Sequence, residues 1–339
     1  MNQEKQPLVS VIITTYRNEA LLPRAIGSVL HQTYRNLELI VVDDNDPQSD
    51  SRRATEAVMA GYPSVLYLRH PENRNGAAAR NTGIRAAKGK YIAFLDNDDL
   101  YFSGHIAQCV EALERCPDRA CVLCGVVKVC AGLCWEIIPA ADGDLKRKLL
   151  FSETALGTGS NLFVSAEAVR ALGGFDENFR RHQDVEFGLR LFAAYGGCSL
   201  NNVQIIKEME GFSNAPDFAK FRDTKRRLWQ KFRREIDGLP PQERNRYFGG
   251  QYSALLYTAC KGGSREEIRW AADHLARCRS LTGKERLLVM LACCGLFPVY
   301  EAAKRAAKKC GAKKRYRAVT AGLPACDRAL LDSVLNEPV

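Results

Sequence analysis

The sequence predicts an α/β protein, with a mostly parallel, doubly wound sheet followed by a helical C-terminal region. Short apolar runs alternate strictly with segments of helical period over the first third, the pattern of parallel strands joined by crossover helices. Several of those runs end abruptly in polar or acidic residues, as strands do where open α/β sheets place their ligands. Beyond about Phe212 the alternation ceases and the chain turns helical and basic. The division predicted is 1–211 for the α/β domain and 212–339 for the helical region.

Leu8 to Thr15, LVSVIITT, is a β-branched run bounded by Pro7 and by the polar Tyr16, Arg17 and Asn18, and predicts a buried first strand. Leu21, Leu22, Ala25, Ile26, Val29 and Leu30 recur at helical spacing. Leu37 to Val42 is a second strand that runs into Asp43 and Asp44, with a helix following through Ala54 to Met59. Val65 to Leu68 gives a third strand. The loop HPENRNG leads into a small-residue helix closed by Gly89 as its C-cap. Tyr91 to Leu95 is apolar without interruption, a strand buried on both faces, and it ends in Asp96, Asn97, Asp98 and Asp99. Thr14, Tyr16, Asp44 and Asp98 then share one rim of the sheet. Carboxylates crowded in this way repel one another unless a cation or a hydrogen-bond network holds them, and a hard ion with oxygen ligands, Mg²⁺ or Mn²⁺, suits them. Taken alone, the acidic run reads equally as a solvated turn with an Asp capping the next helix.

Composition sets bounds. Hydrophobic and charged fractions of 46% and 26% over 339 residues are those of a soluble globular protein. No run approaches the roughly 20 apolar residues that span a bilayer, and MNQEKQPLVS lacks the apolar core of a signal peptide, so a cytoplasmic protein is expected. The net charge of +10 suits an anionic partner. Thirteen cysteines without a secretion signal read as reduced thiols. Cys121, Cys124, Cys130 and Cys134 have a spacing that zinc accepts, but CVLCGVVKVC is itself strand-like, and packing of small thiols is the expected role.

The segments SVIITTYRNE, ELIVVDD and NRNGAAARNTGIRAAKGKYIAFLDNDD, in this order, resemble the family 2 glycosyltransferases, whose catalytic domain has the GT-A fold. TGSNLFVSAEAVRALGGFDENFRRHQDVEFGLRL is similar to the family's acceptor half, so the resemblance covers about residues 7 to 210. It implies an inverting, metal-dependent transferase that moves a sugar from a UDP-sugar to a saccharide acceptor, in the synthesis of a bacterial surface glycan. By the same resemblance Thr14 and Tyr16 line the nucleobase pocket, Asp44 bonds the base, and Asp43 braces its loop. Arg80 contacts the pyrophosphate or ties down the loop of Asp44, with a structural salt bridge as the equal alternative. Asp96 and Asn97 contact the nucleotide sugar, Asp98 is the metal ligand, and Asp99 caps the next helix or supports the metal shell. Asp184 is the general base, followed by Glu186, while His182 contacts the diphosphate, completes the metal shell or is structural. Two departures stand out: Asn45 and Asp46 replace the usual Gly-Ser, and Gln183 replaces the Glu of the usual Glu-Asp pair. The second keeps open a catalytically silent subunit of a membrane glycan-assembly complex. A sugar-phosphate nucleotidyltransferase would want a Gly-rich phosphate loop, which TTYRNE does not offer. Glu266 to Trp270, EEIRW, is only faintly like the QxxRW signature of processive synthases and reads as chance, so a non-processive enzyme is expected.

In the C-terminal region Lys225, Arg226, Arg227, Lys231, Arg233 and Arg234 surround Leu228, Trp229 and Phe232, an amphipathic helix with basic flanks. ERLLVMLACCGLF and the basic YEAAKRAAKKCGAKKRYR follow. This pattern predicts peripheral docking on the anionic inner face of the plasma membrane, near a lipid-linked acceptor. A helical bundle with a solvated basic face is the competing reading, and no nucleic-acid module is recognised.

Overall fold

The structure, a computed structural model, describes residues 6–209 and 217–336. The predicted succession is present: β1 (Val9–Thr15), α1 (Leu22–Leu30), β2 (Leu37–Asp43), α2 (Asp50–Met59), β3 (Leu66–Arg69), α3 (Gly76–Ala86) and β4 (Tyr91–Asp96). β1 is buried at every position but Thr14. β2 and β4 flank it in parallel, and β3 lies parallel beyond β2. The register brings Thr14 opposite Asp96 and Thr15 opposite Asp43, which levels the strand ends into one rim. α2 begins at Asp50, earlier than the apolar pattern suggests, because the Ser49 hydroxyl accepts from the Arg52 N–H and caps the first turn.

The chain continues through β5 (Asp99–Tyr101), α4 (His105–Arg115), β6 (Cys121–Cys130), β7 (Leu133–Ile138), α5 (Leu145–Leu150), β8 (Phe163–Ser165), α6 (Ala166–Ala171), α7 (Gln183–Ala194) and β9 (Cys198–Glu208). The sheet order is β3-β2-β1-β4-β8-β6-β9-β5, with β7 paired to β6. β8 lies antiparallel between β4 and β6, and β9 is parallel to β6 but antiparallel to β5. Asp99 therefore begins a strand. It does not cap the next helix, whose N-cap is Gly104. Cys121, Cys124, Cys130 and Cys134 are buried free thiols of β6 and β7. Among the described residues the cluster suited to a metal is acidic and includes none of them.

The chain divides into two compact units, the first made of Met1–Leu149, Thr154–Glu210 and Ala312–Val339, the second of Leu150–Glu153 and Gly211–Gly311. The second unit is helical, with α8 (Phe218–Lys231), α9 (Arg233–Asp237), α10 (Pro241–Gly262), α11 (Arg265–Cys278), α12 (Gly283–Cys293) and the beginning of α13 (Phe297–Thr320). Leu255, Leu256, Ala259, Ile268, Leu275 and Phe297 form its core. Glu266 to Trp270 lies on α11, where Trp270 packs edge-on against Phe218. The last part of the chain departs from the division predicted. Val319 of α13, with Leu331 and Val334 of α14 (Ala325–Leu335), packs against Leu100, Phe102, Val127 and Ile206 of the first unit. Asp327 accepts from the Ser103 N–H at 2.7 Å and Arg315 donates to the Cys134 carbonyl at 2.8 Å. Periodicity reports that this tail is helical but not which core it completes. The boundary predicted at 211/212 lies outside the described residues.

One ion pair sets a pH limit on the helical unit. Glu285 accepts from both Arg279 Nη atoms, at 2.8 and 2.7 Å, and from Ser253 Oγ at 2.6 Å, and forms a capping box with Thr282. The Arg279 hydrogen bonds lead these in pulling its carboxyl from 4.5 down to about 2. An acid with a lowered folded value contributes stability that is present above pH 4.5 and is lost as pH falls toward 2. Glu285→Gln should lower the melting temperature at pH 7 by several degrees, an effect on the order of 2 kcal/mol. The deficit should shrink steadily below pH 4.5 in calorimetric scans; a deficit constant with pH would show that the pair contributes nothing.

Candidate active site

The acids at the end of β4 draw together as the sequence suggests. Asp96, Asp98 and Asp99 each place a carboxylate oxygen within 4.8 Å of the other two. Asp99 is fully buried and takes hydrogen bonds from Thr158 Oγ1 and Ser160 Oγ, the latter at 2.6 Å, with Lys207 Nζ at 3.4 Å. Asp96 is bonded by Arg80 Nη2. Burial works against the charge on Asp96, but Arg80 and Lys207 outweigh it and hold this carboxyl below its ordinary value. Asp99 is raised, by burial first and by Asp96 next, against the pull of Lys207. Asp98 is pushed up to about 7, by burial and then by the charge of Asp99.

Two cations thus face three carboxylates, and among the described residues neither Lys nor Arg forms an ion pair with Asp98. A hard-oxygen donor set with one unmatched negative charge fits Mg²⁺ or Mn²⁺. Asp98 is the acid of the three that neither Lys nor Arg pairs with among the described residues, whereas Asp99 is held by two hydroxyls and Lys207.

Arg80 lies at the centre of the cluster. Its guanidinium is buried 5.5 Å above the Phe175 ring, and its Nε and Nη1 have no hydrogen-bond partner among the described residues. Two glycines make room for it. A Cβ on Gly159 would come within 2.8 Å of Arg80 Nη2, and one on Gly76 would lie 3.2 Å from Nη1 and 3.0 Å from Gln183 Nε2. Gln183 Oε1 is also buried without a partner among the described residues. Buried donors and an acceptor left unpaired around one point are costly unless a ligand completes them.

Gln183 links the acids to α7. It opens that helix, so the chain from Asp96 through Arg80 and Gly76 reaches the first turn that carries Asp184. Asp184 is half-buried and makes no hydrogen bond or ion pair with the described residues. His182 is the N-cap, in the left-handed region at φ 55°, and its carbonyl accepts from the Glu186 N–H at 2.9 Å. Glu186 is fully buried and grips Arg190, whose Nη atoms also donate to the Leu172 and Gly174 carbonyls at 2.8 Å. Glu186 therefore fastens the GGFDE turn to α7.

At the nucleotide end Asp44 and Asn97 are both engaged by neighbouring protein groups. Asp44 is 2% exposed and both of its oxygens are filled. Oδ1 accepts from His70 Nδ1 at 2.7 Å and the Arg74 N–H at 2.9 Å, and Oδ2 from Asn73 Nδ2 and the Asn75 N–H, both at 2.9 Å. A carboxylate offers about four lone-pair sites, so none remains for a base. Asn97 spends its amide N–H groups on Thr15 Oγ1 at 3.0 Å and the Arg17 carbonyl at 2.8 Å, which makes it a brace of the loop after β1. Asp43 braces as expected, accepting from Tyr67 OH and the Asn45 N–H and pairing with Arg52. Asn45, which replaces the usual Gly, accepts from the Arg17 N–H at 2.7 Å. Thr14 is half-buried opposite Asp96, and Tyr16 is 41% exposed with the Arg17 guanidinium 5.0 Å from its ring centroid.

The sequence reading missed Lys207, Thr158 and Ser160. The two hydroxyls sit in the quoted TGSN segment, whereas Lys207 lies on β9, whose mixed composition gave no strand signal.

A mixed, mostly parallel sheet with an acid-ended central strand defines a protein of the GT-A class. Residues 10–173 match the family model Glycosyl transferase family 2, so this part of the chain carries a family 2 glycosyltransferase domain. An uncharacterized glycosyltransferase of Rickettsia typhi is 36% identical over 195 residues, 53% of this chain and 57% of the relative. One of Rickettsia bellii is 27% identical over 259 residues, 75% of this chain and 37% of the relative. The chain thus spans between about a third and three-fifths of the length of these relatives. Among solved structures, S. aureus TarS 1-349 in complex with UDP-GlcNAc superposes with a TM-score of 0.56 at 12% identity, covering 85% of this chain and 92% of TarS 1-349.

Proposed function

We propose that the protein is an inverting, metal-dependent glycosyltransferase that moves a sugar from a UDP-sugar to a saccharide acceptor in bacterial surface glycan or lipid-linked oligosaccharide synthesis. The observation that carries this reading is the linkage of Asp98, in its acidic cluster, to the helix start bearing Asp184 by way of Arg80 and Gln183. Asp184 accepts the proton of the acceptor hydroxyl, whose oxygen then bonds the anomeric carbon from the face opposite the diphosphate as the sugar–phosphate bond breaks. Inversion follows from that direction of attack. A divalent cation held by Asp98 would supply Lewis-acid neutralisation of the leaving diphosphate. Arg80 presents its unpaired N–H groups to the same anion. Tyr16 and Thr14 shape the nucleobase end, and the UDP-GlcNAc complex of a protein with this fold supports a uracil nucleotide.

The test is UDP release from a panel of UDP-sugars with Mn²⁺ and a saccharide acceptor, with GDP-sugars as controls. Acceptor-dependent release from at least one UDP-sugar is expected. No release from any donor would overturn catalysis in favour of a silent subunit, and release from GDP-sugars alone would overturn the donor.

The protein also docks peripherally on an anionic membrane, on the inner face of the plasma membrane. Among the described residues no helix is long and apolar enough to cross a membrane. Supporting the docking, Leu287, Met290, Leu296 and Val299 are exposed by 45% to 64% on α12 and around the start of α13, with Lys284 and Arg286 beside them. The full chain should float with phosphatidylglycerol vesicles at low salt and stay behind with phosphatidylcholine alone. Met290→Ser combined with Val299→Ser should reduce flotation severalfold; flotation unchanged by both would remove this face from the contact.

A further inference from the structure

The helical unit holds a cavity of about 360 Å³ between α8, α10 and α11, within the size range of small-ligand sites. Its walls are aromatic, formed by Trp229, Tyr247, Phe248, Tyr252 and Trp270. Three neighbouring pairs of rings cross steeply, Trp229 with Phe248 at 68°, Tyr247 with Phe248 at 76° and Tyr252 with Trp270 at 70°, while Phe248 and Tyr252 lie at 24° with centroids 6.2 Å apart. Arg222, Lys225 and Arg226 stand in the same lining. Arg222 lies 5.3 Å from the Trp270 ring centroid and Lys225 lies 5.1 Å from that of Phe221, so both face π-systems where a carboxylate would be the stronger partner. The one acid among the described lining residues, Asp223, is bonded by Arg227 Nε at 2.7 Å. Finally, the Trp229 indole N–H is buried without a hydrogen-bond partner among the described residues, although a buried indole N–H normally has one.

We propose that this cavity is a binding site for an anionic saccharide, a pyranose bearing a carboxylate or a phosphate. A pyranose presents C–H faces that lie against aromatic walls, hydroxyls that accept from the Trp229 N–H, and an anionic group for Lys225 and Arg226. A purely apolar ligand would leave three cations idle, and a bare inorganic anion would leave the rings idle. Walls that mostly meet at steep angles suit the edges and faces of a saccharide better than a flat base, and the one near-parallel pair, Phe248 and Tyr252, is too close at 6.2 Å to admit a base between its rings. Burial pushes the Lys225 amine down to about 8, so its lost hydration is not yet replaced. The choice of a saccharide over a nucleotide rests partly on the function proposed above. The site itself does not, since it lies wholly in the second unit.

Isothermal titration and tryptophan fluorescence of the full chain test this with trigalacturonate, glucose 6-phosphate, maltotriose and UMP. Trigalacturonate or glucose 6-phosphate should bind saturably and at least about tenfold tighter than maltotriose and UMP, and which of the two binds distinguishes carboxylate from phosphate. Lys225→Gln should weaken that binding about fivefold or more, and Trp229→Phe, which keeps a ring but removes the N–H, about threefold or more, with melting temperatures unchanged. Asp98→Asn should retain the binding even with transfer lost, which separates this inference from the catalytic reading. No binding of either anionic sugar, tighter binding of UMP, competition by UDP, or indifference to Lys225→Gln would each overturn it.

Discussion

Asp184→Asn is expected to lower transfer by roughly 10³-fold while UDP affinity stays within about twofold. The side chain keeps its shape but can no longer take the acceptor proton, and nothing structural compensates, because Asp184 bonds to none of the described residues. For the same reason its removal frees no buried partner, and the melting temperature should hold. Single-turnover transfer and titration with UDP check the two halves of the expectation. Equal loss of both would place Asp184 in donor binding and leave the reaction without its base.

Asp98→Asn should be as severe for transfer, with a loss of roughly 10³-fold or more, and should also abolish the dependence of UDP binding on Mn²⁺. Its effect on stability has the opposite sign. The folded-state value of Asp98 is raised from 3.8 to about 7, by burial and by Asp99, so ionisation of this side chain costs stability that grows as pH rises from about 4 to 7 and is fully present above 7. Without divalent cation at pH 8 the variant should melt several degrees higher than the parent, and the difference should narrow toward pH 4. Such a gain paired with lost activity is what a functional cluster of like charges produces. If the variant melts lower at pH 8, Asp98 is matched by a partner and is not the ligand proposed.

The rim of the sheet was legible because its causes are local. β-Branched and fully apolar runs specify β1, β2 and β4, and carboxylates directly after such runs can only lie at strand ends. β5 escaped because it is three residues long and starts inside the acidic run, and β9 because polar Asn201, Asn202 and Gln204 interrupt its pattern. With β9 unseen, Lys207 could not be placed beside Asp99. The partners of Asp44 and Asn97 were hidden for a different reason. Sequence reports which groups stand at the rim, but not that backbone N–H groups of the neighbouring loops would reach them first. The tail from Ala312 shows the same limit, since an amphipathic helix carries no label for the core it will join.

The clasp around Asp44 bears on how a preference for one nucleotide over another could change in this fold. His70, Asn73, Arg74 and Asn75 converge on that single carboxylate, so substitution there would release the segment leading into α3 before it altered any recognition. On the function proposed here, drift in donor choice would be channelled toward the exposed Tyr16, where a side chain can be exchanged without unfastening that clasp.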